Sequence, residues 1–208
     1  MTKLAAVLVA ASLAASAQKP EKGFQALFNG KDLAGWTKAK ENEGTFSVKD
    51  GAIVANGPRC HLYYTGAGAD WKNFELKVDV MTQANSNGGI YFHTAYQEKN
   101  WPDKGFEVQV NNTFVKDPRK TASLYMVQDN HGDVASDGKW FTEHIVVKDK
   151  KVTVFVDGKQ VTQWSQPDGW AGPKNMPGRV LDHGTIALQG HDPGSTVHYR
   201  NIRIKPLK

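Results

Sequence analysis

Hydrophobic and polar residues alternate with a period of two over most of the chain, and this pattern constrains the fold more than any other feature. Residues 73–83 carry Phe, Leu or Val at every second position, and residues 105–112 repeat the pattern. Successive side chains of a strand point to opposite faces, so each segment predicts a β-strand with one buried side. The same reasoning predicts strands at residues 144–148, 151–156 and 185–189.

Turn signals connect these strands. Asp50-Gly51 and Asp157-Gly158 each separate two β-rich runs and predict two-residue hairpins. Residues 197–204 change parity in the middle, which a β-bulge near Asn201 would explain. About ten short strands with turns at regular spacing predict an all-β fold, an antiparallel β-sandwich or jelly roll in a single domain.

The N-terminus has the three parts of a secretory signal peptide. Lys3 supplies the positive charge, residues 4–13 form a short apolar run, and Ala-Ser-Ala at residues 15–17 matches a cleavage site. We expect residues 1–17 to be removed, leaving a domain of residues 18–208 that works in the periplasm or outside the cell. The apolar run is too short to span a bilayer, so no membrane anchor is expected.

Charge and motifs exclude several classes of function. Lys and Arg number 26 against 21 Asp and Glu, but the basic residues are scattered among acidic ones, so a nucleic-acid partner is not expected. The sequence has no G-x-S-x-G elbow, P-loop, H-E-x-x-H motif or dinucleotide fingerprint. The single cysteine, Cys60, excludes an intramolecular disulfide and a cysteine-based metal cluster.

One predicted strand carries an unusual polar side. Glu107, Gln109 and Asn111 share one face of residues 105–112, about 7 Å apart at strand spacing. Carboxylate and amide groups in a row suit a ligand rich in hydroxyl groups, because they can orient and discriminate them. The alternative is an ordinary solvated face stabilised by cross-strand pairs.

Aromatic residues and histidines surround this strand in the sequence. By parity, Tyr91 and His93 lie on the polar side of their strand, and Trp101 and Trp170 occur in loop-like surroundings. Aromatic faces pack on the apolar side of sugar rings. His191 ends a predicted strand, where it could act as an acid or a base, or be a surface histidine at a turn.

Two long segments lack any period. Residues 129–139 and 166–182 are rich in Gly, Pro, Asp and Asn and are predicted to be loops. Loops of this length in a compact domain are uncommon and often functional.

Several motifs in order resemble the 3-keto-disaccharide hydrolase family. The opening segment GFQALFNGKDLAGW at residues 23–36 carries the strongest resemblance. The other matching segments are FEL (74–76), NSNGGI (85–90), GFEVQV (105–110), SLY (123–125), GTIALQGH (184–191) and YRNIRI (199–204). The sequence departs from the family pattern at residues 85–89, where N-S-N-G-G replaces N-S-G.

The resemblance implies a concanavalin-like jelly roll that is exported and acts on glycosides oxidised at C3 of glucose. It also implies site residues at matching positions. Glu107 and Gln109 fall on the family's E-x-Q strand and His191 on its L-Q-x-H turn. The remaining matches are Glu75, Tyr125, Arg200 and Asn201.

We expect an enzyme whose base removes the C2 proton of a 3-keto-glycoside. Glu107 or His191 would transfer the proton; the residues expected to bind the sugar are Gln109, Asn111, Tyr125, Arg200, Glu75, His93 and Trp170. No ligand spacing indicates a metal, so no cofactor is expected, although a divalent cation in place of arginine as the electrophile remains an alternative. Hydrolysis and elimination are both open. The second hypothesis is a non-catalytic carbohydrate-binding β-sandwich.

Overall fold

The computed structural model describes residues 21–208, and the predicted signal peptide lies outside them. Within these residues the chain forms thirteen strands and one turn of 3-10 helix at Glu43–Thr45. The strands are β1 (Gln25–Ala26), β2 (Trp36–Lys38), β3 (Phe46–Lys49), β4 (Ala52–Asn56), β5 (Cys60–Tyr64), β6 (Phe74–Thr82), β7 (Asn87–Thr94), β8 (Phe106–Asn111), β9 (Phe141–Lys148), β10 (Lys151–Val156), β11 (Lys159–Ser165), β12 (Thr185–Gly190) and β13 (Thr196–Pro206).

The strands form two antiparallel sheets packed face to face, which confirms the predicted β-sandwich. The larger sheet has the order β11-β10-β9-β6-β13-β4-β3, with β1 paired to β13. The smaller has the order β2-β5-β12-β7-β8. Every strand pair is antiparallel, and neighbours in space are often distant in sequence, as in a jelly roll.

The core lies between the two sheets and follows the predicted alternation. In β6 every second residue from Phe74 to Val80 is buried, while the residues between them are partly exposed. In β8 the apolar residues Phe106, Val108 and Val110 face the core. A one-residue register slip would bury the charged set and expose the apolar one, so the pattern specifies the register strongly.

The predicted turns and the bulge are confirmed. Asp50-Gly51 and Asp157-Gly158 join β3 to β4 and β10 to β11, and all four residues have positive φ angles between 47° and 79°, as a type I′ turn requires. The register of β13 against β6 shifts between Arg200 and Arg203, where Asn201 has a φ of 47°. The bulge keeps both halves of β13 facing the core.

One predicted strand is longer than expected. The alternation predicts a strand at residues 144–148, but β9 begins at Phe141. The reason is Glu143, which occupies a core-facing position and is fully buried. A carboxylate at that position hides the apolar period in the sequence.

Both predicted loops are confirmed, and the longer one lies beside the outer face of the smaller sheet. Residues 129–139 and 166–182 contain no strand. The longer loop and residues 95–105 cover parts of the outer face of β5, β12, β7 and β8. Among residues 21–208, no helix is long and apolar enough to cross a membrane.

Candidate functional site

A cavity of about 410 Å³ opens on the outer face of the smaller sheet. Its floor comes from three adjacent strands, β12, β7 and β8, and its walls come from the loops. The floor residues are Asn87, Tyr91, Glu107, Gln109 and Gln189; the wall residues are Trp101, Pro102, Asp103, Asp117, Tyr125, Asn175, Met176, Pro177, Arg179 and His191.

Glu107 occupies the centre of a buried polar network on this floor. Its carboxylate accepts a hydrogen bond from the Tyr91 hydroxyl at 2.7 Å and one from Gln189 Nε2 at 2.8 Å. The guanidinium of Arg179 lies 3.5 Å from Glu107 Oε2. Both partners of this ion pair are about 95% buried, so the low local dielectric strengthens their attraction.

Burial controls the protonation of this network. Removal from solvent raises the pKa of Glu107, and the Arg179 charge and the hydrogen bonds from Tyr91 and Gln189 oppose that shift. Burial and the neighbouring Glu107 charge also raise the pKa of Tyr91 well above its usual value, so Tyr91 remains a hydrogen-bond donor. A carboxylate with a raised pKa is a stronger base, and such groups occur often at catalytic sites.

Two consecutive glycines in β7 make room for side chains from neighbouring strands. A Cβ at Gly89 would lie 2.6 Å from Glu107 Oε1, on the cavity side. A Cβ at Gly88 would lie 2.8 Å from the Tyr199 hydroxyl, on the core side. The two glycines of the N-S-N-G-G segment therefore leave backbone without a side chain on both faces of the sheet. The Glu107 carboxylate packs directly against the backbone of Gly89.

Arg179 comes from the loop at residues 166–182, and sequence reasoning did not identify it. Its Nη1 donates to the Gly105 carbonyl at 3.1 Å, and its guanidinium lies 5.6 Å from the Tyr91 ring centre. Trp170 donates from Nε1 to the Arg179 carbonyl at 2.7 Å, so Trp170 holds the arginine backbone and does not itself line the cavity. The only sequence signal was the functional prediction for the loop as a whole.

His191 follows β12 and lines the cavity as expected. Its Nδ1 lies 2.8 Å from the Asp192 carboxylate, and its ring packs between Trp101 and Phe114, each with a centroid separation of 5.5 Å. Nε2 has no hydrogen-bond partner among residues 21–208. A neighbouring carboxylate that fixes Nδ1 orients the ring and leaves Nε2 for a ligand.

The expected amide positions divide into two roles. Gln109 lines the cavity, where its Nε2 donates to Asn87 Oδ1 at 3.0 Å while its own Oε1 is buried without a partner in the described chain. Asn111 does not line the cavity. Its Nδ2 donates to three carbonyls, the nearest being Arg119 at 2.8 Å, so it organises the loop that follows β8.

Tyr125 also lines the cavity. It belongs to the segment that pairs with the outer edge of β8, the last strand of the smaller sheet. The Tyr125 amide donates to the Glu107 carbonyl at 2.9 Å. The guanidinium groups of Arg119 and Arg179 lie 4.8 and 5.9 Å from its ring centre. Trp101, one of the two tryptophans in loop-like surroundings, lines the cavity and is 40% exposed.

Arg200 and Glu75 lie on the larger sheet and do not reach the cavity. Arg200, on β13, packs its guanidinium 3.8 Å from the Trp140 ring centre. Glu75, on β6, accepts hydrogen bonds from His144 and Lys205. The resemblance implied site positions for both residues, but their strands belong to the other sheet, so the structure places both away from the cavity that holds Glu107.

His93 is likewise outside the cavity lining. Its backbone has a φ of 53°, which breaks the alternation on which its placement depended. Its Nε2 lies 2.9 Å from the Lys72 carbonyl and its Nδ1 accepts from the Asp182 amide. Burial lowers the pKa of His93 to about 4, so the ring is neutral and serves as a structural link.

No group of three His, Cys, Asp or Glu side chains in residues 21–208 is arranged to hold a metal ion. The cavity instead presents one buried carboxylate, one guanidinium, one imidazole and several amides. This donor set can remove a proton, stabilise a developing oxyanion and bind hydroxyl groups.

The two sheets and the cavity on an outer sheet face define a jelly-roll β-sandwich of the concanavalin-like class. The chain belongs to a family whose model, the 3-keto-alpha-glucoside-1,2-lyase-like domain, matches residues 23–205. This finding confirms the resemblance carried by the sequence motifs. A comparison with curated protein sequences gives no match.

Solved structures share the fold. A "putative glycosyl hydrolase" from Parabacteroides distasonis ATCC 8503 has a TM-score of 0.76 at 24% identity, over 89% of this chain and 94% of that one. The carbohydrate-binding module CBM66 from Bacillus subtilis has a TM-score of 0.59 at 13% identity, over 82% and 95%. SCLam, an endo-beta-1,3(4)-glucanase of family GH16, has a TM-score of 0.56 at 13% identity, over 88% of this chain and 91% of that one.

Proposed function

We propose that the protein is an enzyme that cleaves 3-keto-glucosides by removing the C2 proton and expelling the group at C1. The observation that carries this proposal is the buried pair of Glu107 and Arg179 on the cavity floor, one side chain able to take a proton and the other to stabilise negative charge. Membership of the 3-keto-alpha-glucoside-1,2-lyase-like family supports the substrate class.

The chemistry needs few groups. A C3 ketone acidifies the C2 hydrogen, so a base can take that proton and leave an enolate with its charge on the C3 oxygen. The enolate then re-forms the carbonyl, a C1–C2 double bond forms, and the C1–O bond breaks with the electron pair leaving on oxygen. A lyase releases this enone, whereas a hydrolase adds water across it. The paired carboxylates of ordinary glycosidases are not needed.

The geometry favours a division of roles. Glu107, with its raised pKa, would take the C2 proton, and Arg179 would stabilise the enolate oxygen. His191, held at Nδ1 by Asp192, would protonate the departing oxygen through Nε2. Gln109 and Tyr125 would bind the sugar hydroxyl groups.

A non-catalytic carbohydrate-binding role is the second candidate. The amides of Gln109, Asn87 and Gln189 on the floor, with Trp101 and Tyr125 at the walls, would also bind an unoxidised sugar. This role predicts stable binding of an unmodified glycan and no turnover of a 3-keto-glycoside.

The variants Glu107→Gln and His191→Ala, incubated with 3-keto-trehalose, test the proposal. Removal of a general base or acid should lower kcat by about 10²- to 10⁴-fold. Glu75→Gln is the matched control, because this carboxylate lies on the other sheet, and it should keep full activity. Full activity in both site variants would overturn the assigned roles, and the identity of the product, enone or 3-keto-glucose, separates elimination from hydrolysis.

We also propose that the protein acts in the periplasm or outside the cell after cleavage between Ala17 and Gln18. The support is the charge, the apolar run and the Ala-Ser-Ala site of residues 3–17. The N-terminal sequence of protein expressed in bacteria should begin at Gln18. Recovery of the uncleaved chain from the cytoplasm alone would contradict this proposal.

A further inference from the structure

The polar floor of the cavity continues beneath a loop. On the outer face of the smaller sheet, the register places His61 of β5 opposite Gln189 of β12, and Tyr63 opposite Ala187. Tyr63 therefore extends the row formed by Glu107, Tyr91 and Ala187, and His61 lies beside Gln189 in the next row. The His61 ring contacts the Tyr91 ring edge-to-face, with centroids 5.4 Å apart.

Both residues are fully buried without hydrogen-bond partners. His61 Nδ1, His61 Nε2 and the Tyr63 hydroxyl have no partner among residues 21–208. Buried polar groups in proteins are almost always paired, because an unpaired group loses its bonds to water and gains none in return. Three unpaired atoms on two adjacent outward-facing positions therefore indicate a surface shaped for a polar ligand.

The cover over these residues is aromatic and partly exposed. Trp101 contacts His61 edge-to-face at 5.6 Å and is 40% exposed, and Tyr96 contacts Tyr63 at 5.4 Å and is 41% exposed. Both belong to residues 96–103, which we call the aromatic loop. The Gln97 side chain stabilises the loop from within. Its Nε2 donates to the Lys99 and Trp101 carbonyls, and its Oε1 accepts from the Asp103 amide.

Backbone and side-chain contacts tie the aromatic loop to the neighbouring residues 38–41 and 59. The Lys40 and Glu41 amides donate to the Glu98 carbonyl at 2.9 and 3.2 Å, and the Arg59 guanidinium lies 5.2 Å from the Trp101 ring centre. Glu98 pairs with Lys40, Asn100 accepts from Arg59 at 3.3 Å, and the Tyr96 hydroxyl lies 3.5 Å from the Lys38 carbonyl. Exposed ion pairs and long hydrogen bonds contribute little to stability. A ligand that reaches His61 and Tyr63 must displace Trp101 and Tyr96, and the contacts of the aromatic loop oppose that displacement.

We propose that the aromatic loop covers a second sugar subsite, with His61 and Tyr63 as its floor and Trp101 as its wall, and that this subsite binds the ring attached through C1. The inference rests on the proposed function, because it takes the oxidised ring to lie over Glu107. The chemistry of this floor suits a neutral sugar. Burial, the Arg59 charge and the His191 charge lower the pKa of His61 to about 3, so its ring is neutral and can both donate to and accept from hydroxyl groups.

Binding measurements with two ligands test the subsite. The probes are 3-keto-trehalose, which has two rings, and methyl 3-keto-α-glucoside, which has one, with the tryptophan fluorescence of the protein as the signal. The wild type should bind the two-ring ligand more tightly. His61→Phe and Tyr63→Phe should each weaken its binding about tenfold and leave the one-ring ligand within twofold.

Tyr64→Phe is the matched control, because Tyr64 is the next residue of β5 and points to the opposite face, where it contacts Trp36 and Trp71. It should change neither affinity. Tyr63→Phe removes a buried hydroxyl that has no partner, so this variant should unfold at or above the midpoint of the wild type.

The outcomes separate this inference from the proposed function. Selective loss of two-ring binding supports the subsite, whether or not the wild type cleaves either ligand. If the wild type binds both ligands equally, or if the two variants weaken both equally or neither, the subsite is refuted even when turnover is normal. Turnover of neither ligand by the wild type would overturn the proposed function alone.

Discussion

Glu143 is an acidic residue in the apolar core between the two sheets. It lies on the core side of β9, fully buried, and among residues 21–208 only the backbone of Ala122 opposes the desolvation of its carboxylate. Burial raises its pKa well above the usual value of 4.5, so the side chain is held in its neutral form. Folding therefore favours proton uptake at this residue.

This preference predicts a pH dependence of stability. Above about pH 4.5 the unfolded chain releases the Glu143 proton while the folded chain retains it, so the free energy of unfolding falls as the pH rises towards the native pKa. The fall is at most about 1.4 kcal/mol for each pH unit. Glu143→Gln cannot ionise and should lose this contribution.

Urea unfolding of the wild type and Glu143→Gln at pH 5, 6, 7 and 8 measures the effect. The difference between the two proteins cancels the contributions of the other titrating groups, including His61 and His93. The stability of the variant should rise relative to the wild type as the pH increases. Parallel pH profiles would show that Glu143 does not titrate abnormally.

At the scale of elements, β7 decides where the proposed base lies. Its consecutive glycines let Tyr199 approach from the core and Glu107 from the cavity. Gly89→Ala would place a methyl group 2.6 Å from Glu107 Oε1 and force the carboxylate to move. A shift of about 1 Å in a catalytic group can reduce the rate by about 100-fold.

We therefore expect Gly89→Ala to fold and to lose most of its kcat. Gly44→Ala is the control, because no atom lies within 4 Å of the added methyl group and the backbone there is not left-handed. Steady-state kinetics with 3-keto-trehalose and circular dichroism spectra of both variants make the comparison. Unchanged kcat in Gly89→Ala would contradict a fixed position for Glu107.

Residues 166–182 show that the sequence predicts a functional loop but not which of its side chains face the cavity. The lack of periodicity in residues 166–182 predicts a functional loop, and the structure confirms the loop and places part of it at the cavity wall. Which side chain faces inward depends on long-range contacts. Trp170 holds the Arg179 carbonyl, and Arg179 reaches Gly105, 74 residues away in the sequence. No local pattern predicts such contacts.

For the whole molecule, alternation with a period of two predicts the sandwich, most strand positions and the polar face of β8. The arrangement of strands into sheets is beyond that pattern, because pairing partners such as β12 and β5 are over a hundred residues apart. The sequence therefore does not show that Arg200 and Glu107 lie on different sheets. Asn111 shares a face with Glu107 but binds the adjacent loop.

The central claim is that cleavage begins with removal of the C2 proton, and an isotope experiment tests it most directly. 3-Keto-trehalose carrying deuterium at C2 of the oxidised ring is incubated with the wild type, and the released oxidised sugar is analysed by mass spectrometry at early times, with an enzyme-free sample as the reference for spontaneous exchange. The account predicts that the product has lost the deuterium and forms several-fold more slowly than from unlabelled substrate. A product that retains the deuterium and forms at the same rate would show that the C1 bond breaks without C2 proton removal.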